Sequence, residues 1–324
     1  MHIHLLVPDF FQSAGAERFG AAETLVSKGR RKRMPASSPE AWLFERFHVA
    51  KQRDWPVAPY TLLADGGSPG RDFWMRADPV HLEVGNRAVV LAGDPAPGVS
   101  RTEAEALTGH LNRHFGEAMR FHPLDPGRWY VRMQPMPEVQ TTPPSTARGK
   151  EIEAHLPSGR DAVRLRALMN ETQMLLYEHA VNSGREARGE PALNSLWFWG
   201  GGAIADAGAK PFAVVIADDP LARGLALAAA IPARPLPEMA NFMLAAFRDE
   251  GVALVVLNAP QDPDGFAALE RNWFAPLLAA LHAGSIGMLS MHLLGTKARL
   301  EAETVRSDLR YFWRRKKPLA GYLA

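Results

Sequence analysis

The chain contains no cysteine, which removes disulfides, thiolate zinc sites, iron–sulfur clusters and cysteine nucleophiles together. It also lacks an uninterrupted apolar run of about 18 residues, so no membrane-spanning helix is expected. The apolar stretch at 224–231 is bounded by Arg223 and Pro232. Residues 1–9 carry no basic leader and no apolar core ending in small residues, so they do not read as a secretory signal; a cytoplasmic protein is the expectation. An excess of one charge sign is absent too. Against 37 Lys and Arg stand 35 Asp and Glu, a formal charge of +2, and bulk charge gives no reason to expect a protein that wraps polyanions or coats membranes. Lysine is scarce, 8 residues against 29 Arg. With the abundant Ala and Pro, that bias matches GC-rich coding better than phosphate recognition.

What is present is a globular composition, 47% apolar and 22% charged over 324 residues, enough for one large α/β domain or two modest ones. Residues 3–7 read as a buried strand closed by Pro8-Asp9. In open α/β sheets a carboxylate there faces the ligand crevice. Helices are expected over 16–28, stopped by Gly29, and over 39–47. After turn chemistry at 65–70 the order becomes strand (80–84), strand (88–92), helix (101–115) and strand (129–133), a compact α+β unit. Ser100 and Glu103 form a capping-box pattern ahead of Leu107, Leu111 and Phe115. Residues 134–149 read as an irregular loop or hinge and 159–179 as a helix. From Asn194 onward, strands at 196–199, 212–216, 252–257 and 286–291 alternate with helices at 221–230, 239–250 and 265–282. That alternation means βαβ units and a mostly parallel sheet, which the N-terminal strand can join.

Several residues are candidates for chemistry. Asp9 at a strand end is placed to ligate a metal or to act in acid–base work, or simply to cap a loop. His2 and His4 share one face of that strand and read as packing or surface residues, because the strand's ligand position is its far end. Asp78 and His81 set a carboxylate and an imidazole within one turn, compatible with a metal or phosphate site but too few to complete one. Arg76, Arg128 and Arg132 lie on or beside strands of one unit, where they form either an anion-binding cluster or ordinary pairs on a sheet face. The most unusual stretch is Asn194-Ser195-Leu196-Trp197-Phe198-Trp199-Gly200-Gly201-Gly202. Glycines after an aromatic strand permit close backbone approach to a ligand, and N–H groups at Gly200 and Gly201 can hold an oxyanion; Trp197 and its aromatic neighbours can equally be core. The stretch matches neither a P-loop nor a dinucleotide fingerprint, and Ser195 lacks the G-x-S-x-G elbow of a nucleophile. The basic runs 28–33 and 314–317 belong to no recognisable nucleic-acid module. Solvated charge is their default reading, and nucleic acid is not an expected partner.

Ala77-Asp78-Pro79-Val80-His81-Leu82, Leu111-Asn112-Arg113-His114-Phe115, Arg128-Trp129-Tyr130, Asn170-Glu171-Thr172-Gln173-Met174-Leu175-Leu176 and the Asn194 to Gly200 segment together resemble a bacterial family of regulatory proteins of the RpfE type. In layout the chain also resembles, more distantly, the archaeal-type cofactor-independent phosphoglycerate mutases of the alkaline phosphatase superfamily. Those enzymes open with a strand ending in a metal-binding Asp, interrupt the core with a substrate-binding α/β lobe, and return through a Trp-rich or Gly-rich strand. Asp9, the 73–133 unit and Trp197 to Gly202 follow that order.

The pattern departs where catalysis needs it. Ser13, Ser27, Ser37 and Ser38 lie in the first segment, none in a motif that marks the nucleophile. Where the mutases have an Ala-Pro-Asp-Glu-Ala-Gly-His type sequence, this chain reads Asn258-Ala259-Pro260-Gln261-Asp262-Pro263-Asp264-Gly265-Phe266, with Phe266 in place of the histidine. The later Asp-His pair reads Met291-His292, without the Asp. Two-metal phosphoryl transfer needs a fuller set of carboxylate and imidazole ligands.

The resemblance therefore implies an α/β fold with a mostly parallel sheet core of alkaline-phosphatase-like type at 1–72 and 190–324, and a smaller inserted α+β lobe with its following loop and helix at 73–189. It implies a degenerate, non-catalytic relative with a regulatory or ligand-binding role and no cofactor. The expected partner is a small phosphorylated or carboxylated metabolite, or a protein. The expected ligand residues are Arg76, Asp78, His81, Arg128, Arg132, Asn194, Trp197, Gly200 and Gly201, with Asp9 and His292 as remnants of a metal site. The alternative is a metal-dependent phosphomutase or phosphatase acting on a small phosphorylated metabolite with Mn or Zn, using Asp9, Asp78, His81 and His292.

Overall fold

A computed structural model of the protein describes residues 1–13, 18–85, 88–92, 98–205, 210–246, 251–258 and 262–322. The chain divides into two compact units, one formed by Met1–Val49 with Ala207–Ala324 and the other by Ala50–Asp206. The first segment carries β1 (His2–Val7), α1 (Phe10–Ser13), α2 (Gly20–Lys28), β2 (Arg30–Pro35) and α3 (Pro39–Arg46). The inserted unit carries α4 (Val57–Ala64), β3 (Trp74–Val84), β4 (Val89–Ala92), α5 (Arg101–Phe115), β5 (Met119–Asp125), β6 (Arg128–Met133), α6 (Pro144–Ala147), α7 (Ala162–Tyr177), α8 (Ala180–Ala187) and β7 (Ser195–Gly202). The chain then returns through β8 (Val214–Ile216), α9 (Pro220–Ala228), β9 (Ala233–Arg234), α10 (Ala240–Ala246), β10 (Val252–Val256), α11 (Pro263–Leu269), α12 (Ala275–Ala283), β11 (Met288–Leu293) and β12 (Ala298–Val305).

In the first unit a seven-stranded sheet runs in the order β2-β12-β11-β1-β10-β8-β9. Strands β1, β11, β10, β8 and β9 pair in parallel, while β12 and β2 close one edge antiparallel. Ile3, Leu5 and Val7 project into an apolar core with residues of α2 and α12. Helix starts follow a repeated rule, a side-chain cap followed by proline at the first helical position. Ser38 accepts from Ala41 N at 3.2 Å ahead of Pro39, Asp219 from Ala222 N at 2.7 Å ahead of Pro220, and Asp262 from Gly265 N at 2.7 Å ahead of Pro263. Helix α2 lacks a cap of its own. Glu270 supplies one from a π-helical turn (Glu270–Phe274) between α11 and α12, its carboxylate accepting from Ala21 N and, at 3.4 Å, from Ala22 N.

The inserted unit is built on an antiparallel sheet in the order β4-β3-β6-β5, with β7 also paired to β3. This corrects the expectation that residues 196–199 form a strand of the parallel sheet. Strand β7 runs antiparallel to β3, Trp197 opposite Asp78 and Trp199 opposite Arg76, and α4 packs on both strands. The inserted unit therefore starts at Ala50 and ends at Asp206, not at 73 and 189. The glycines that close β7 also serve a different end from the one expected. A Cβ on Gly200 would lie 2.8 Å from Val57 Cβ, one on Gly201 2.8 Å from the Phe73 ring, and one on Gly202 2.4 Å from Pro56 Cβ. The space a ligand would need is filled by the unit's own side chains.

Other differences are local. Strands β2, β5 and β12 and helices α4 and α8 were not expected, and the α6 turn interrupts the 134–149 loop. The expected helix over 16–28 begins at Gly20, and its residues 16–17 lie outside the described residues, as do 247–250 of the expected helix over 239–250. Among the described residues no helix is long and apolar enough to cross a membrane.

Gly200 combines a left-handed backbone, φ 64°, with the Val57 contact. Gly200→Ala is expected to destabilise the inserted unit by about 1–3 kcal/mol, read as a lower urea midpoint at unchanged slope.

Candidate functional site

Three places collect the residues that chemistry needs. The first is the carboxyl edge of the parallel sheet. Asp9 follows β1 in a left-handed conformation, φ 52°, unusual for a residue with a side chain. Burial pushes the Glu40 carboxyl above the ordinary range, and the nearby Asp219 and Asp9 carboxylates push it the same way. Glu40 and Asp219 were not among the candidates; the Ser-Pro-Glu and Asp-Asp-Pro contexts signal helix starts, and only the fold brings them near Asp9.

The second place is the polar face of the same sheet. His4 Nδ1 and His292 Nε2 lie 3.1 Å apart with their rings stacked at 5.3 Å between centroids, and Trp42 packs on His292. His2 Nε2 lies 2.9 Å from Ser290 Oγ. Thus His2 and His4 are packing residues on one face, as expected, and His292 is a buried residue, the last but one of β11, hydrogen-bonded to His4. The His292 Nδ1, Glu301 Oε1, Arg299 Nε and Trp42 Nε1 atoms are buried without a hydrogen-bond partner among the described residues, with Glu301 3.3 Å from Arg299 and 3.7 Å from His292. Burial, then the neighbouring His292, hold the His4 pKa down at about 3. Burial also lowers His292, against the pull of Glu301.

These donors do not assemble the two-ion site that the resemblance implies. Among the described residues, no three of His, Asp or Glu are grouped where a metal ion can be held. Asp262 is spent on capping α11, and Asp264 is exposed on that helix. Of the serines in the first segment, Ser27 is buried and bonded to Thr24 O at 3.1 Å, Ser38 caps α3, and the Ser13 side chain lies outside the described residues.

The third place is the inserted unit. Arg76, Arg128 and Arg132 do share one sheet face, because Arg76 on β3 stands opposite Tyr130 on β6 and Arg128 and Arg132 lie two residues to either side of Tyr130. Each is already answered by an internal carboxylate. Arg76 donates to Asp78 Oδ1 at 2.9 and 2.6 Å, Trp199 Nε1 donates to Asp78 Oδ2 at 2.7 Å, and the Arg76 guanidinium lies between the rings of Tyr130 (5.4 Å) and Trp199 (5.3 Å). Arg128 clasps Asp65 at 2.9 and 2.8 Å and reaches Asp125 at 3.0 Å. Arg132 meets Glu117 at 3.0 Å and Asp72 at 3.6 Å. Burial works against ionisation of Asp65, but hydrogen bonds from Arg128 and Tyr130 outweigh it and hold its carboxyl below the usual range. The face is a neutralised ion network, not an open anion site. Asp78 and His81 do not converge: His81 Nδ1 lies 2.7 Å from Ala192 O.

Asn194 spends its side chain on the Leu82 backbone, accepting from its N at 2.8 Å and donating to its O at 2.9 Å. Trp197 Nε1 donates to Thr142 O at 2.8 Å. Both residues nevertheless line an open groove of about 700 Å³ between α7 and the β3–β4 hairpin, walled by Met169, Met174, Tyr177 and Val84 and carrying Arg166, Asn170 and Gln173. Met174 and Tyr177 are 71% and 80% exposed. Arg166 donates from Nε to Pro157 O at 3.1 Å, which leaves the rest of its fork available. Helical spacing on α7 pointed only to a buried stripe; Arg166 sits between those apolar positions and gave no separate signal.

A sequence profile described as 2,3-bisphosphoglycerate-independent phosphoglycerate mutase matches residues 70–182, inside the inserted unit. The phosphoglycerate mutase 2 of that type from Methanothermobacter thermautotrophicus is 32% identical over 113 residues, 32% of this chain and 27% of that protein. The chain therefore matches only about a quarter of that relative's length. Among solved structures, a cofactor-independent phosphoglycerate mutase from Thermoplasma acidophilum superposes with a TM-score of 0.50 at 17% identity, covering 98% of this chain and 93% of that one. A Pyrococcus horikoshii protein does so with a TM-score of 0.57 at 13% identity, covering 94% and 87%. The fold matches that of these two solved structures, and the sequence is related to the cofactor-independent phosphoglycerate mutases through residues 70–182.

Two outcomes follow from the geometry. Arg76→Ala leaves the buried Asp78 with the Trp199 hydrogen bond but without its cation, so it is expected to destabilise the protein by about 3–5 kcal/mol in thermal or urea unfolding. The fold holds His4 neutral, so the stability it contributes is present above the ordinary histidine value of 6.5 and is lost as pH falls toward 3. The drop in melting temperature between pH 7 and pH 5 is expected to be smaller in His4→Phe than in the parent chain.

Proposed function

We propose that the chain is a non-catalytic relative of the cofactor-independent phosphoglycerate mutases, which uses the groove of its inserted unit to bind a small organic acid and so acts as a regulatory or binding protein. The observation that carries this reading is the contrast between the two units. The family-model match falls in the inserted unit, the lobe that the resemblance makes substrate-binding, although the likeness to a Methanosarcina acetivorans mutase, 24% identical over 194 residues, runs beyond it. The other unit brings no three metal-ligating side chains together among its described residues. A groove with an apolar wall suits a ligand with an apolar body; the lining carries one guanidinium, Arg166, against the carboxylates of Glu153 and Glu178, so an anionic group on the ligand is expected at Arg166. Methionine at its wall adapts to the ligand's shape, and the planar fork of Arg166 matches a carboxylate or phosphate. Binding without turnover is what a regulatory role requires.

The alternative, a metal-dependent phosphomutase or phosphatase using Asp9, Asp78, His81 and His292, divides those residues between the two units; at Asp9 it has the neighbouring carboxylates of Glu40 and Asp219 to draw on, without a metal-holding group of three among the described residues. Calorimetric titration of metal-stripped protein with manganese and with zinc separates the two. No tight binding of two ions is expected, and no turnover of 3-phosphoglycerate in their presence. Two tightly bound ions with turnover abolished by Asp9→Asn would establish the alternative. In the groove, Arg166→Ala is expected to weaken any acid that changes Trp197 fluorescence by about tenfold or more.

A further inference from the structure

We propose that the outer edge of the seven-stranded sheet is a binding surface for single-stranded nucleic acid. Taken separately, the basic runs 28–33 and 314–317 read as solvated charge. The fold joins them. Lys28 Nζ donates to Tyr311 O at 2.8 Å and to Arg314 O at 2.6 Å, and Arg314 donates back to the carbonyls of Lys28 and of Gly29, the latter at 3.2 Å. Two segments some three hundred residues apart in sequence thereby form one surface.

Its composition suits a flexible polyanion. Strand β2 ends the sheet, so its outer edge has no partner strand among the described residues, and Arg30, Arg31, Lys32 and Arg33 are all exposed. Alternation along the strand points Arg30 and Lys32 to one face and Arg31 and Arg33 to the other, so cations line both sides of the edge. Glu303 and Glu301 lie opposite Arg30 and Lys32 on β12, but Glu301 is held by Arg299 and Arg46. No carboxylate lies within ion-pair reach of Arg30, Lys32, Arg33, Arg315 or Lys317 among the described residues. Beside these cations Phe312 and Trp313 are 84% and 62% exposed, their rings edge to face at 5.1 Å. Arg314 lies over Tyr311 at 4.4 Å, so the aromatic turn is braced against the same basic segment.

A cationic track that follows the phosphates, with aromatic faces on which bases stack, is how single strands are held without sequence readout. A lipid surface is less well matched. Interfacial binding needs a helix with a broad apolar face, and on this surface the exposed large apolar side chains among the described residues are those of Phe312 and Trp313.

The test uses the full-length chain and a fluorescein-labelled 20-mer of oligo(dT) by anisotropy. Binding is expected at 50 mM salt. If four phosphates are neutralised, it should weaken about fiftyfold by 200 mM. Arg30→Ser/Lys32→Ser/Arg33→Ser is expected to lower both the affinity and the salt slope, with Lys316→Glu/Lys317→Glu as a second variant at a separate part of the surface. Trp313→Ala is expected to weaken binding by about fivefold or more without changing the salt slope. All these side chains are exposed, so unchanged melting temperatures verify the fold of each variant. The proposal is overturned if oligo(dT) does not bind at 50 mM salt, or if both charge variants bind like the parent. It is also overturned if a duplex binds at least as well and Trp313→Ala has no effect, or if phosphatidylserine vesicles compete the oligonucleotide away and prove the tighter ligand.

Discussion

The antiparallel pairing of β7 with β3 is the constraint on which the inserted unit depends. Strand β3 is hydrogen-bonded on one side to β6 through Trp74–Arg76 and to β4 through His81–Val84, while β7 runs along its other side. Pro79, which has no N–H to donate, falls between the β6-paired and β4-paired stretches. With both edges covered, Trp74 to Val80 is buried throughout. Only in that register does Trp199 stand over Arg76 and reach Asp78, and only then does Trp197 form part of the groove. Every residue of β7 is buried, which is why its end is made of glycine: nothing larger fits against Pro56, Val57 and Phe73.

Electrostatics in this unit follow from the same packing. A buried guanidinium must be paired, because desolvating an isolated charge is far more expensive than any stacking returns. The chain answers Arg76 with Asp78 and Arg128 with Asp65, and Tyr130 adds a hydroxyl to Asp65 at 2.6 Å. The outcome is a rigid floor whose charges cancel, while Arg166 on α7 keeps part of its fork unspent. Guanidinium count alone is a poor guide to anion binding; which forks remain open decides it.

The elements most legible in the sequence were those that carry their own start and stop signals. Residues 101–115 are helical to the residue, because Ser100 and Glu103 form the capping box that their spacing announces. The helices capped by Ser38, Asp219 and Asp262 begin at Pro39, Pro220 and Pro263, within two residues of the expected starts at 39, 221 and 265. Helix α4 was hidden because Val57 to Leu62 is buried on every side and has no 3.6-residue contrast to detect. Strand β2 was hidden by its four consecutive basic residues, which conceal alternation, whereas β12 does alternate, with Ala298, Leu300, Ala302 and Thr304 facing inward. The convergence of Arg76, Arg128 and Arg132 was readable from strand positions; the acids that meet them come from turns and from β3 itself, and their partners depend on register. His292 was read as a strand-end remnant, but its imidazole partner His4 lies on a neighbouring strand 288 residues away.

The carboxylate of Glu270 at the start of α2 has a consequence for how this chain can vary. Each residue of a helix advances about 1.5 Å and turns about 100°. A single deletion or insertion between Asp262 and Glu270 would swing that carboxylate around the rod, away from the Ala21 and Ala22 amides. The π-helical turn that begins at Glu270 is itself an extra residue accommodated within a helix, so the capping side chain stands at the very start of that irregularity. Substitutions along α11 and α12 can be absorbed one side chain at a time, but a change of length there must be matched by a second change of length to restore the cap.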